Sequence, residues 1–135
     1  MVFMPKLEIQ KEKIEKLCKK HNVKLLILHG SYAKGTATGK SDIDVGILFK
    51  DAPKVGYFKI IGDFGELFGD NFDPAFLNGT EPMINYQVAL NGKVLYEDQK
   101  GDFNNYKIGS IAKYMDTKKF RELEKLYIKR AIGRN

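Results

Sequence analysis

Gly30-Ser31 closes a short apolar run, and a ten-residue spacer, Tyr32 to Ser41, separates that pair from Asp42-Ile43-Asp44. On a strand, alternate side chains project to one face, so the Asp42 and Asp44 carboxylates would point the same way from Cα atoms about 6.5–7 Å apart. Both could then reach a single divalent ion. Mg²⁺ takes one or two carboxylates and keeps its other positions for water and substrate phosphate. Without a cation two such groups would repel each other. A glycine lets backbone approach a phosphate closely, and the adjoining serine supplies a hydroxyl. Alone, an Asp-x-Asp is ordinarily a solvated strand face and a Gly-Ser pair ordinarily a turn. Together, with a third acid, Asp73, near the start of a later predicted strand, they point to metal-assisted chemistry on a nucleoside triphosphate.

The elements that must position these groups follow from hydrophobic spacing. Leu7 to His21 reads as a helix, with Ile14, Leu17 and Cys18 on one side, and Asn22 ends it. Val23 to Leu28 is a β-favouring apolar run and reads as a central strand. Gly30 to Lys40 is small and polar, and its three glycines predict a loop or a frayed helix, since each costs about 0.8–1 kcal/mol inside a helix relative to alanine. Ser41 to Phe49 reads as a second strand, with Ile43, Val45 and Ile47 on the face opposite Asp42, Asp44 and Gly46. Phe58, Ile61, Phe64 and Phe68 recur at helical spacing and read as core rather than as a base-stacking platform. Asn71 to Leu77 reads as a third strand. Thr80 is placed to cap a further helix whose inward stripe would be Met83, Tyr86, Gln87 and Leu90, stopped by Asn91-Gly92. Lys93 to Glu97 reads as a fourth, edge strand, and Phe103 to Ile132 as one long helix or two shorter ones. His29 is expected to pack at a strand end, His21 to favour a helix C-terminus, and Cys18 to lie in the core.

The bulk composition sets limits. A chain of 135 residues, 43% hydrophobic, fits one domain with a modest core. The expected organisation is a single domain over 1–135, with a core at 7–97 and a helical extension at 102–133. No apolar run nears the roughly 18 residues needed to cross a bilayer, and the N-terminus lacks the pattern of a secretory signal. The lone cysteine suits a reducing compartment, so a cytoplasmic location is expected. A net charge of +6, from 23 basic and 17 acidic side chains, is spread along the chain. It reads as solvated helix surface suited to a triphosphate or an acidic protein, without a dedicated nucleic-acid face and without a membrane partner.

The stretch Gly30-Ser31-Tyr32-Ala33-Lys34-Gly35-Thr36-Ala37-Thr38-Gly39-Lys40-Ser41-Asp42-Ile43-Asp44 resembles the hallmark of the polymerase-beta-like nucleotidyltransferase superfamily, and more closely its minimal nucleotidyltransferase (MNT) group. Phe72 to Asn78 and Asn91 to Glu97 also look like MNT segments, so the resemblance covers roughly residues 7 to 97. It implies an α/β (α+β) nucleotidyltransferase fold, a central mixed sheet of about four strands flanked by helices, with a C-terminal helical segment. It also implies that Asp42, Asp44 and Asp73 are catalytic and hold two Mg²⁺ ions, and that Gly30, Ser31, Lys34 and Ser41 bind ATP. Two ions of that kind stabilise the entering and leaving oxygens of an in-line displacement. Many relatives carry arginine where this chain has Tyr32 and often where it has Lys34. Tyr32 brings no charge, and Lys34 offers a point charge without the guanidinium fork.

Chain length bears on the acceptor. Relatives that act on nucleic acid need further domains, so a bare catalytic core suggests that a partner protein presents the hydroxyl. The MNT resemblance implies the antitoxin of a two-gene module, transferring AMP from ATP to a tyrosine of a HEPN-type RNase toxin. Two other readings stay open: a non-catalytic antitoxin that neutralises by binding, and a nucleotidyltransferase for an aminoglycoside-type small molecule. Homo- or hetero-oligomers suit these readings.

Overall fold

The structure, a computed structural model, describes residues 10–53 and 55–133. Its elements are α1 (Lys11–Lys20), β1 (Val23–His29), α2 (Gly30–Lys34), β2 (Ile43–Phe49), α3 (Tyr57–Phe68), β3 (Phe72–Phe76), α4 (Pro82–Asn91), β4 (Lys93–Glu97) and α5 (Asp102–Ile132). The expected start of the first helix at Leu7 lies outside the described residues. The four strands form one mixed sheet in the order β3-β2-β1-β4. β1 runs antiparallel to both β2 and β4, and β2 runs parallel to β3.

The near-continuous apolar run of β1 reflects its central place. Leu25, Leu26, Ile27 and Leu28 are all fully buried, because helices cover both sheet faces. Leu26 and Leu28 pack with Ile43, Val45, Ile47 and the α1 and α3 side chains Ile14, Cys18, Ile60 and Phe64. Leu25 and Ile27 pack on the other face with Leu77 and Val88. Each such side chain contributes roughly 1.5–3 kcal/mol when fully buried. Pro74 has no amide hydrogen to donate to a ladder, and it is tolerated because β3 is an edge strand. Beyond β3, the Asn78 side chain both donates to the Phe49 carbonyl (3.0 Å) and accepts from its amide (2.8 Å), which ties the β3 exit to the end of β2.

Several expected details differ. The β2 ladder begins at Ile43, so Asp42 lies just ahead of it. In α3 the inward residues are Ile60, Phe64 and Phe68, whereas Phe58 is 93% exposed. The register of burial is shifted because the helix starts at Tyr57 and turns Phe58 outward. Thr80 does not cap α4: Glu81 occupies that position without a side-chain cap, and Pro82 follows. The buried α4 residues are Val88, which packs on the sheet against Leu25 and Ile27, and Ala89, while Met83, Gln87 and Leu90 are exposed. Tyr86 instead stacks on Tyr114 of α5, ring centroids 4.0 Å apart. Gln87 thus faces away from the apolar layer, as an amide without a buried partner must. His21 does sit at the end of α1, but it is buried and its Nε2 is 2.8 Å from the Asp63 carboxylate, which links α1 to α3. The C-terminal segment is one unbroken helix, α5.

Gly92 ends α4 where the chain turns into β4. A Cβ there would overlap the Ile27 side chain and the Val88 carbonyl oxygen. Because one of those neighbours is backbone, Gly92→Ala should destabilise the protein by about 1–3 kcal/mol, read as a lower denaturation midpoint with an unchanged m-value.

Candidate active site

Strand register brings the chemistry together. His29 on β1 pairs with Asp44 on β2, and Asp44 pairs with Asp73 on β3. Directly paired residues share a sheet face, so these three side chains form one row at the end of the sheet where β1 finishes and β2 and β3 begin. They share that face with Leu25, Ile27 and Gly46, on the side covered by α4.

The Asp44 and Asp73 carboxyls lie within hydrogen-bonding reach of each other when one carries a proton. Asp44 is pushed up to about 6, first by burial, then by the hydrogen bond and charge of Asp73, and also by the charge of Asp42. The closest carboxyl partner of Asp44 is therefore its cross-strand neighbour rather than the Asp42 of the short motif. Asp42 is exposed and acts on Asp44 through charge. Among the described residues, no three His, Cys, Asp or Glu side chains form a ready-made metal cage. A crowded carboxylate pair still suits Mg²⁺, which takes one or two carboxylates and leaves its other positions open.

Gly30 supports this arrangement at close quarters. It adopts φ +68°, and a Cβ on it would overlap the Asp44 carboxyl. Only glycine meets both demands. From there the chain enters α2, which buries Tyr32 and Ala33 and leaves Lys34 exposed. Tyr32 belongs to the core, with its hydroxyl near the Thr38 carbonyl at 3.5 Å. Ser31 follows Gly30 directly and is partly exposed. Ser41 Oγ accepts from the Thr38 amide at 2.9 Å, so this hydroxyl orders the loop that delivers Asp42.

Beside this row is a cleft of about 230 Å³ between β1–α2 and α4, walled by His29, Gly30 and Lys34 on one side and by Ile84, Gln87 and Asn91 on the other. Burial lowers the His29 pKa, partly opposed by the charge of Asp73, which favours neutral imidazole. Its Nε2 is buried without a hydrogen-bond partner among the described residues. A larger cleft of about 500 Å³ lies at the opposite end of the sheet, near His21 and Asp51. Size does not make it the reactive site, because two of its lysines, Lys20 and Lys59, pair with Asp63 and the carboxylate row is remote from it.

Residues 12–101 match the sequence family described as polymerase beta, nucleotidyltransferase. The chain belongs to that family. This nucleotidyltransferase is 29% identical over 126 residues to the protein adenylyltransferase MntA of Aphanizomenon flos-aquae (strain 2012/KM1/D3), a match covering 85% of this chain and 84% of the relative. Its fold resembles a chain of a crystallised toxin–antitoxin with AMP-PNP, with TM-score 0.72 and 23% identity, covering 87% of this chain and 97% of the other. It also resembles a chain from a tri-AMPylated Shewanella oneidensis HEPN toxin in complex with MNT antitoxin, with TM-score 0.68 and 20% identity, covering 90% and 98%. The expected mixed four-stranded nucleotidyltransferase fold with a C-terminal helix is thus the observed one. Among the described residues no helix is long and apolar enough to cross a membrane.

Sequence reasoning put Asp42 and Asp44 on one strand face, whereas in the structure Asp42 lies ahead of the β2 ladder and Asp44 meets Asp73. It did not anticipate the α4 wall, because Gln87 and Asn91 carry no motif, and only their spacing of one helical turn hints at a shared face.

The raised Asp44 value has a consequence for stability. Since the folded protein holds this proton more tightly than an unfolded chain does, stability falls as pH rises from about 4 to about 6, and the deficit persists above that range. Asp44→Asn removes the charge and keeps a donor toward Asp73. In metal-free buffer near pH 7.5 the variant should therefore be more stable than wild type by on the order of 0.5–1 kcal/mol, after discounting for solvent screening. Thermal denaturation should show that gain disappearing near pH 4.

Proposed function

We propose that this chain is a protein adenylyltransferase antitoxin that transfers AMP from ATP to a tyrosine hydroxyl of a HEPN-type toxin. The observation that carries the reading is the Asp44–Asp73 pair set against Gly30, in a chain spanning 84% of an MntA protein named as a protein adenylyltransferase. The neighbouring toxin–antitoxin structures, one with AMP-PNP and one with an AMPylated HEPN toxin, support the nucleotide and the partner.

In this reading Asp44, Asp73 and Asp42, the last from the loop just ahead of β2, would hold Mg²⁺. Bound Mg²⁺ supplies charge neutralisation for an in-line displacement at phosphorus. Gly30 admits the triphosphate to the backbone, with the Ser31 hydroxyl and Lys34 ammonium as donors. Ser41 contributes by holding the Thr38–Ser41 turn and hence Asp42. Asp73, at the edge strand and exposed, is open to an incoming acceptor and orients its hydroxyl. The acceptor oxygen forms a bond to the α-phosphorus as the bond to pyrophosphate breaks, and the hydroxyl proton passes to a carboxylate or water.

The outer side of α5 gives this reading a protein-facing surface. Phe120, Leu123 and Tyr127 are 74%, 63% and 76% exposed and fall at i, i+3 and i+7, one side of a helix. Lys119 and Arg130 flank that stripe on one side and Glu124 on the other, an apolar strip with a mixed charged rim of the kind a protein partner covers.

The test is intact mass of a HEPN-type toxin co-expressed with this chain and then incubated with it, ATP and Mg²⁺. Wild type should add whole AMP units to the toxin, and the Asp42→Asn, Asp44→Asn double variant should lower the rate by at least about a hundredfold. Modification at the wild-type rate by the double variant would remove catalysis from this site.

A further inference from the structure

We propose that the cleft between α2 and α4 is the base pocket of the nucleotide site, and that Gln87 and Asn91 select adenine. The inference rests on the transferase reading above and extends it to base selection.

Ile84, Gln87, Val88 and Asn91 fall at i, i+3, i+4 and i+7, so they line one side of α4, the side that faces Gly30 across the cleft. Ile84 is exposed and offers an apolar edge on which a flat aromatic base packs, with Val88 buried beneath it. The amides of Gln87 and Asn91 have no hydrogen-bond partner among the described residues. Both amides stand in one small cleft that already opens onto the turn next to the carboxylates. The unpartnered Nε2 of His29 lies in the facing wall. The two amides are exposed and free to meet a ligand, and His29 Nε2 is a buried polar atom left open toward the same cleft, so a few convergent polar groups line it as they do a ligand site.

The two walls favour different parts of a nucleotide. Lys34 stands on the α2 side and carries the positive charge that phosphate requires. Asn91 is the last residue of α4, and Val88 is the acceptor for the Gly92 amide at 2.8 Å. The following carbonyls have no intrahelical partner, so this helix end is electronegative. It disfavours a phosphate and favours an exocyclic amino donor. An amide offers an acceptor and a donor side by side, matching the amino group and adjacent ring nitrogen of adenine. Guanine places a carbonyl oxygen where adenine has its amino group, which sets two acceptors against each other at the helix end.

The experiment is titration calorimetry of the full chain with ATP, GTP, CTP and UTP, each with Mg²⁺. Wild type should prefer ATP, and Gln87→Ala and Asn91→Ala should each erode the ATP-over-GTP ratio by about 5- to 100-fold. Both side chains are exposed, so the melting temperatures should stay at the wild-type value. Lys34→Ala should weaken all four nucleotides by one common factor. Equal loss for all four nucleotides in Gln87→Ala and Asn91→Ala, or no change in either, would overturn the base pocket and leave the transferase reading intact. So would a wild type with no base preference that still transfers AMP. Failure of wild type to bind any triphosphate would overturn both.

Discussion

The Asp44 carboxyl rests against the bare Cα of Gly30, and the arrangement of the reactive end follows from that contact. It requires the β1–β2 register that pairs His29 with Asp44, and it requires a left-handed glycine at the first residue beyond β1. A one-residue slip in that register would turn Asp44 into the apolar layer that Val45 and Ile47 share with Ile60 and Phe64 and pull those two side chains out of it. The core therefore enforces the site. The same contact leaves open backbone beside a carboxylate, the arrangement a triphosphate and its cation need.

Electrostatics at this end work against the isolated protein. Asp44 is partly buried beside Asp73, and its raised pKa measures the cost of holding two carboxyls together. Two other acids are held by cations: Asp63 meets Lys20, His21 and Lys59, and Asp98 meets Lys50 at 2.9 Å. The crowded Asp44–Asp73 pair has no such cation, and it stands at the end of the sheet that carries the glycine turn. Such localised strain is the ordinary mark of a site organised for a ligand rather than for stability.

Much of this was legible in the chain because it depends on local physics. The Val23–Leu28 run reads as a central strand because it has no polar residue except Lys24, and Asn91-Gly92 reads as a helix stop. The inward face of α4 was not legible. Met83 and Leu90 are the larger apolar residues, yet Val88 and Ala89 are the buried ones, Val88 packing with Leu25, Ile27 and Leu77. Phe58 was misplaced for a similar reason: helical spacing is satisfied by several neighbouring registers, and only the position of α3 over the sheet chooses one. Tyr32 could be read as a departure from the family pattern, but not as a core residue, until α2 was seen to turn it inward.

Sequence by itself determined the family, the short motif from Gly30-Ser31 to Asp42-Ile43-Asp44, and the order of strands and helices, since all of these are written in contiguous residue types. Tertiary structure decided which acids meet. Asp44 and Asp73 are far apart in sequence but become neighbours through the parallel β2–β3 register, whereas Asp42, two residues away, stands ahead of the ladder. It also decided which helix faces the Gly30 turn, because the position of α4 depends on packing against β1 and α5 rather than on any motif of its own.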